Sequence, residues 1–303
     1  MAGLQVGPSP KELSMRRALA AAFFLAASSA QAACPDAAAI ARFVADYRTM
    51  TPARSFGPGL SLADGFCAQD AIVASLSAEL GRPVGYKVGL TSKPTQERFK
   101  VPHPVRGVLL EKMLLPAGAR VAVPYGSIPV MEADMLVRVR DAAINDATTD
   151  IDILRSLSAV VPFIELPDLA FAQGELLDGA NLTAINVAAR LGVVGEDIPV
   201  EATEAFAAAL AAMTIRMSDD TGKALAQSTG AAVLDHPLNV VRWLVQDLKA
   251  AGRKLQAGDV ISLGSFSPLL PAVPAIGRTV SVEYAGLPGG ARTVSVSLVA
   301  KGS

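Results

Sequence analysis

Apolar side chains recur every third and fourth position over residues 35–47 (PDAAAIARFVADY) and 62–80 (LADGFCAQDAIVASLSAEL), the spacing that gathers them on one face of a helix. Gly81-Arg82-Pro83 stops the second run. Beyond it the period shortens, and residues 84–90, 107–110, 120–123, 134–139 and 160–166 read as short strands parted by proline and glycine. Helical spacing returns over 201–213 and 238–251. Strand-like segments close the chain at 260–264, 278–284 and 292–299, the last two joined across Gly286-Leu287-Pro288-Gly289-Gly290. The pattern predicts an α+β protein.

The first 32 residues follow another rule. Met15-Arg16-Arg17 precedes an uncharged stretch over 18–27 and then Ser28-Ser29-Ala30-Gln31-Ala32, the charged, apolar and small-residue order of a cleaved export leader. The apolar stretch is shorter than the roughly 20 residues that cross a bilayer. Cleavage after Ala32 therefore predicts a periplasmic or secreted protein without stable membrane insertion, with Met15 a candidate natural start. Lipidation of Cys34 is a competing reading, weakened by Gln31 standing where an apolar residue is expected.

With 51% hydrophobic and 18% charged residues in 303, the chain can build a core of one large domain or two small ones. Its 27 basic and 28 acidic residues leave a net charge of −1, so there is no basic field for nucleic acid. Cys34 and Cys67 both lie beyond the leader, and an oxidising compartment permits them to pair; two unrelated thiols are the alternative. Two cysteines and two histidines set well apart offer no zinc-type cluster. The chain shows no repeat, no phosphate-binding glycine loop and no G-x-S-x-G elbow, which sets aside nucleotide-dependent and serine-hydrolase chemistry.

Three carboxylates and a lysine stand out. On a strand through Met131-Glu132-Ala133-Asp134-Met135, the side chains of Glu132, Asp134, Leu136, Arg138 and Arg140 share one face, which makes two carboxylates neighbours. A solvated face would tolerate them; so would a cation between them. Glu165 stands among apolar residues in Val160-Val161-Pro162-Phe163-Ile164-Glu165-Leu166-Pro167, where an unpaired charge is costly. It needs a partner: an arginine, a strand-end cap, or a hard divalent cation, Mg²⁺ or Mn²⁺, shared with the other two carboxylates. Lys87, bracketed by Gly85 and Gly89, is either a lysine reaching out from an edge strand or an ammonium beside a bound acid, with room for close approach to the backbone.

At this point the ordered set of motifs resembles the 2-keto-4-pentenoate hydratase and 4-oxalocrotonate decarboxylase group of the fumarylacetoacetate hydrolase superfamily. Gly85-Tyr86-Lys87-Val88-Gly89-Leu90-Thr91-Ser92 is similar to the group's G-x-K-[IV]-G-L-T-S, and Glu132-Ala133-Asp134 to its E-A-E. Gly107-Val108-Leu109-Leu110, Pro162-Phe163-Ile164-Glu165, His236-Pro237-Leu238-Asn239 and Leu255-Gln256-Ala257-Gly258-Asp259-Val260 follow in order, and the likeness covers nearly all of the chain beyond the leader. The resemblance implies a mixed β-sandwich roll with N-terminal helices, a homo-oligomer, and a divalent metal on Glu132, Asp134 and Glu165. It places the group's lysine on Lys87, and a 2-keto or 2-enol acid as the small-molecule substrate. It divides the chain into the leader (1–32), an N-terminal helical and αβ part (33–106) and a β-roll catalytic part (107–303) working as one catalytic unit. The reaction implied is hydration of a 2-hydroxydienoate or 2-keto-enoic acid; decarboxylation, C–C hydrolysis and non-catalytic keto-acid binding are the alternatives.

Departures from the group's pattern add further expectations. Where it resembles V-D-Q-P-D-F-G, this chain has Val101-Pro102-His103-Pro104-Val105-Arg106-Gly107, so two acids are lost, one of them the expected proton-transfer group. His103 is a candidate substitute acid or base, or else a turn residue between two prolines, and Arg106 is a candidate substrate ligand. The group's D-N-A-S reads Ile185-Asn186-Val187-Ala188, which keeps Asn186 as a substrate-contact candidate. Gly264 and Ser265 are further candidates at a strand end. His236, Trp243 and Asp259 read as structural. Export itself points to divergence, since the group ordinarily processes aromatic ring-cleavage products in the cytoplasm.

Overall fold

In the computed structural model, which describes residues 1–4 and 34–302, the first elements are two helices whose ends are set by local chemistry. Helix α1 (Ala37–Thr49) starts where Asp36 accepts the Ala39 N–H at 2.7 Å and stops at Met50, in the left-handed region. Helix α2 (Leu62–Leu80) starts at a reciprocal Ser61–Asp64 capping box and ends at Gly81. A disulfide between Cys34 and Cys67, with Cα atoms 5.3 Å apart, ties the segment before α1 to α2. The charged, apolar and small-residue stretches of the expected leader lie outside the described residues.

The chain then enters β1 (Pro83–Gly89), α3 (Lys93–Arg98), β2 (Val105–Leu110), β3 (Leu114–Pro116), β4 (Arg120–Val123) and β5 (Val130–Val139). Short α4 (Asp150–Arg155) leads to β6 (Leu157–Leu166), α5 (Gly179–Ala184), β7 (Leu191–Val194) and β8 (Ile198–Pro199). Helix α6 (Glu204–Ala212), capped by Thr203, precedes the hairpin β9 (Thr214–Asp219) and β10 (Ala224–Thr229). Helix α7 (Pro237–Ala250), β11 (Val260–Ser262), β12 (Leu270–Pro271), β13 (Arg278–Ala285) and β14 (Arg292–Ala300) complete the fold. Among the described residues no helix is long and apolar enough to cross a membrane.

Nine strands form one sheet with a central path β2-β1-β11-β5-β6-β7-β3, β12 pairing with β5 and β8 with β6. The other sheet runs β10-β9-β13-β14-β4. Between them lies a core of alternate residues: Met131, Ala133, Met135 and Val137 from β5 meet Val280, Val282 and Tyr284 from β13. Helix α7 seals this core with Leu238, Val241, Leu244 and Leu248. His236 serves as its N-cap, accepting from Leu238 N–H through Nδ1 at 3.0 Å while Nε2 lies 3.0 Å from the Ala207 carbonyl.

Several expected features take a different form. The second face of β5 is not solvated: Leu136 packs with Leu109, Val161, Phe163 and Val260, so Glu132 and Asp134 are buried on a covered face. Strands β5 and β6 each begin three or four residues earlier than their apolar runs suggest, and β9 and β10, with polar outward positions, carry no expectation at all. The boundary at 106/107 lies within β2, which pairs with β1, so the two parts share one sheet, in keeping with their reading as one catalytic unit. The described residues 34–302 form one compact unit.

The Cys34–Cys67 bond closes a loop with a sequence separation of 33. In the chain-entropy account a loop of that size adds roughly 3–4 kcal/mol by restricting the unfolded chain. Replacing both cysteines with serine is expected to lower unfolding stability by about 2–4 kcal/mol in urea melts, and added thiol reductant is expected to shift the parent protein to the same midpoint. Coincident melts for the parent, reduced or not, and the double variant would refute a stabilising role.

Candidate functional site

Four neighbouring strands of the large sheet bring four charged side chains together. Glu132 of β5 is the direct cross-strand partner of Glu165 of β6, Asp134 stands two residues further along β5, and Lys87 of β1 lies in register with Ser262 of β11. Like charges placed directly opposite repel. Here water cannot screen them: Lys87 is 3% exposed, Glu132 7%, Asp134 0% and Glu165 2%.

The partners are unequal. Lys87 Nζ forms an ion pair with Glu165 Oε1. Asp134 accepts the Ser262 hydroxyl at 2.5 Å on Oδ2, and the N–H groups of Met135 (2.5 Å) and Leu263 (3.2 Å) on Oδ1. Glu165 Oε2 is buried with no hydrogen-bond partner. One ammonium therefore faces three carboxylates, and an oxygen from each carboxylate lies within 4.8 Å of the other two. Burial, and next the charge of Glu165, hold both Glu132 and Asp134 well above the usual carboxylate range, although the Ser262 and Met135 hydrogen bonds pull Asp134 the other way. An orphaned oxygen, hard oxygen donors and excess negative charge fit a divalent cation such as Mg²⁺ or Mn²⁺. They do not fit the arginine partner considered for Glu165.

The floor is rigidly made. Gly85 has φ +152°, and a Cβ there would lie 1.9 Å from the Val260 carbonyl oxygen; at Gly89 a Cβ would lie 2.6 Å from Val187 Cγ1. The glycines bracketing Lys87 thus admit the protein's own neighbouring segments. Tyr284 reaches across from the small sheet, its hydroxyl donating to the Asp134 carbonyl and lying 3.0 Å from the Phe163 carbonyl, directly beneath the carboxylates.

Lys87, Glu132 and Glu165 line a cavity of about 370 Å³, a size typical of small-molecule sites. Gly264 and Ser265 also line it. Gly264 has φ +93°, and a Cβ there would collide with Thr91 Oγ1 at 2.5 Å, so glycine lets the two loops meet. Other expected residues lie elsewhere. His103 is exposed outside the cavity lining, its Nδ1 2.7 Å from the Pro104 carbonyl, held in the turn between two prolines. Arg106 is buried but committed to Asp247 and stacked 4.1 Å from the Phe66 ring centre, away from the cavity lining. Asn186 clips the backbone of Val108, accepting its N–H at 2.7 Å and donating to its carbonyl at 2.8 Å. That clip holds three successive left-handed residues, Asn186, Val187 and Ala188, the last two of which line the cavity. Asn186 thus shapes the wall and does not itself line it.

Sequence reasoning did not single out Thr91, Ser92, Thr95, Arg98 or Ser267 as cavity residues. Thr91 and Ser92 stand inside the same run as Lys87, where continuity of the motif was an available signal. Arg98 and Ser267 offered none, because loop and short-helix positions acquire their place only from the way the chain packs.

No family model matches the chain. Among curated relatives, it is 28% identical over 227 residues to 2-hydroxyhexa-2,4-dienoate hydratase of Comamonas testosteroni, an alignment spanning 74% of this chain and 84% of that protein. It is 30% identical over 206 residues to TodF product hydratase of Pseudomonas putida, spanning 68% and 74% respectively. Its fold matches that of 4-oxalocrotonate decarboxylase from Pseudomonas putida G7, solved with magnesium and adipate, at a TM-score of 0.74 and 24% identity, covering 86% of this chain and 96% of that one. The alignment at 30% identity, which spans more than two thirds of each chain, shows that the chain belongs to the 2-keto-4-pentenoate hydratase and 4-oxalocrotonate decarboxylase group of the fumarylacetoacetate hydrolase superfamily, and the shared fold is consistent with it.

Proposed function

We propose that the protein is a divalent-metal-dependent hydro-lyase that adds water to a 2-hydroxydienoate or 2-keto-enoic acid of the 2-keto-4-pentenoate type. The observation that carries this reading is the orphaned, buried oxygen of Glu165, one of three converging carboxylates, at the floor of a small-molecule cavity. Glu132, Asp134 and Glu165 would hold Mg²⁺ or Mn²⁺. When bound, the ion supplies a Lewis acid that stabilises negative charge developing on the oxygens of a 2-oxo acid. The hydratase relatives support the reaction class, and structural neighbours complexed with magnesium or calcium support a divalent cation.

The chain's own groups have distinct tasks in this reading. Lys87 Nζ, desolvated and beside Glu165, holds the proton delivered to substrate carbon. Thr91 and Ser92 present hydroxyls to the substrate's carboxylate, and the Gly264–Ser265 turn fixes the wall against which it lies. Leu90, Phe99, Leu182, Val187 and Leu269 surround the unsaturated chain and limit access of bulk water.

One observation favours decarboxylation as a second reading. Val105 stands where the group's proton-transfer acid is expected, and His103 lies outside the cavity lining, so the acid–base set for water addition is reduced while the arrangement that would stabilise an enolate is intact. Product analysis separates the two: a hydroxylated 2-oxo acid supports hydration, and released CO₂ with a shortened acid supports decarboxylation. Export to an oxidising compartment is a further part of the proposal, supported by the Cys34–Cys67 disulfide.

Loss of dienoate ultraviolet absorbance is expected only with Mg²⁺ or Mn²⁺ present. Glu165→Gln is expected to weaken Mn²⁺ binding by more than about 100-fold and to remove turnover with the circular dichroism spectrum unchanged; undiminished Mn²⁺ binding would sink the metal assignment. His103→Ala is expected to keep turnover within about twofold, and a large loss would return that residue to the mechanism.

A pH dependence follows from the raised carboxyls. Ligands bind metal deprotonated, so Mn²⁺ affinity is expected to rise with pH and binding to release protons in calorimetry. Because the folded-state values of Glu132 and Asp134 exceed the unfolded values of about 4, the metal-free fold binds more protons than the unfolded chain as pH rises through that interval. Their contribution therefore lowers metal-free stability with rising pH, and Mn²⁺ should raise the melting temperature more at pH 8 than at pH 6. An equal shift at both values would contradict the assignment.

A further inference from the structure

Asp134 is the most heavily committed of the three converging carboxylates. A carboxylate offers about four lone-pair positions. Oδ1 accepts two N–H groups, Met135 at 2.5 Å and Leu263 at 3.2 Å, and Oδ2 accepts the Ser262 hydroxyl at 2.5 Å, so the position left for an ion is on Oδ2. Glu165 differs, with Oε1 on Lys87 and Oε2 without a hydrogen-bond partner.

The groups that hold Asp134 are themselves fixed. Ser262 is fully buried, and its strand β11 lies inside the large sheet, in register with Lys87 of β1 on one side and Leu136 of β5 on the other. The Asp134 carbonyl accepts the Tyr284 hydroxyl, which secures the backbone from the small sheet. Where the group's motif reads E-A-E, this chain has an arm shorter by one methylene, which keeps the carboxylate among donors from its own strand and from β11. A pinned carboxylate with a single position to give suits a small ion of strict octahedral demand. A larger ion that takes about six to eight oxygens, often both from one carboxylate, needs a group free to turn.

We propose that Ser262 is a positioning residue that sets the ion selectivity of the site: by holding Asp134 to one available oxygen it favours Mg²⁺ or Mn²⁺ over Ca²⁺. The assignment rests on the divalent-metal reading of the three carboxylates. Ser262 acts through Asp134, whose carboxylate, once released from the hydroxyl, can turn to offer both oxygens to the larger ion.

Selectivity is read by displacement. Chelator-treated full chain is loaded with Mn²⁺ and titrated with Mg²⁺ or Ca²⁺, the electron paramagnetic resonance signal of free Mn²⁺ reporting release. The parent protein is expected to release Mn²⁺ at about tenfold lower Mg²⁺ than Ca²⁺. Ser262→Ala is expected to bring the two concentrations within about twofold, and Ser262→Thr, which restores a hydroxyl, to keep most of the preference; circular dichroism and thermal melts verify that each variant is folded. Ca²⁺ that displaces Mn²⁺ from the parent as readily as Mg²⁺ does, or a folded Ala variant that keeps the preference, overturns the role of Ser262 and leaves the metal reading standing. A folded Ala variant that loses Mn²⁺ and Ca²⁺ together in calorimetry does the same, whereas one that loses Mn²⁺ and keeps Ca²⁺ sustains the assignment. A parent protein that binds no Mn²⁺ overturns both.

Discussion

The structure turns on three carboxylates held away from water against a single ammonium. A sheet interior does not ordinarily admit such an excess of one sign, because each buried charge loses its hydration and gains a repelling neighbour. Here the backbone leaves the groups no escape. Glu132 and Glu165 are opposed by strand register, and a shift of one residue that separated them would turn the apolar sets of β5 and β6 outward. The hydrophobic packing that stabilises the sandwich therefore enforces the electrostatic conflict at its centre.

Each neighbouring element contributes to holding that conflict in place. β11 supplies the Ser262 hydroxyl, and the adjoining Leu263 supplies an N–H, fixing Asp134 in one orientation. The small sheet props the backbone below through Tyr284. Lys87 stands on β1 because glycines on both sides permit adjacent segments to press close. This division of labour gives an inner end of fixed geometry and leaves α3 and its flanking loops to form the outer end.

Much of this was legible in the residues. Period-two runs located the central strands, and Glu165 announced itself by being charged in an apolar segment; Lys87 did so by sitting between glycines. These signals are local, and locality explains where reading failed. His103 and Arg106 differ from the group's pattern at chemically suggestive positions, yet whether a side chain faces a cavity depends on how a loop meets distant segments: Arg106 finds Asp247, 141 residues away. Asn186 matched a motif but spends its amide on Val108. The outer hairpin of β9 and β10 escaped notice because a half-exposed strand has too few apolar positions to be told from a loop.

The left-handed run at residues 186–188 bears on how this cavity can diversify. Val187 is wedged against Gly89, the neighbour of the Lys87 strand core, and its backbone is fixed by the clip on Val108. Enlarging or reshaping that wall would disturb the lysine's own strand, so inherited variation there is constrained by folding. Helix α3 has six residues and no buried ones, and its side chains can be exchanged at small structural cost. New substrate preferences in descendants of this chain should therefore arise on the helix side, while the opposite wall stays as it is.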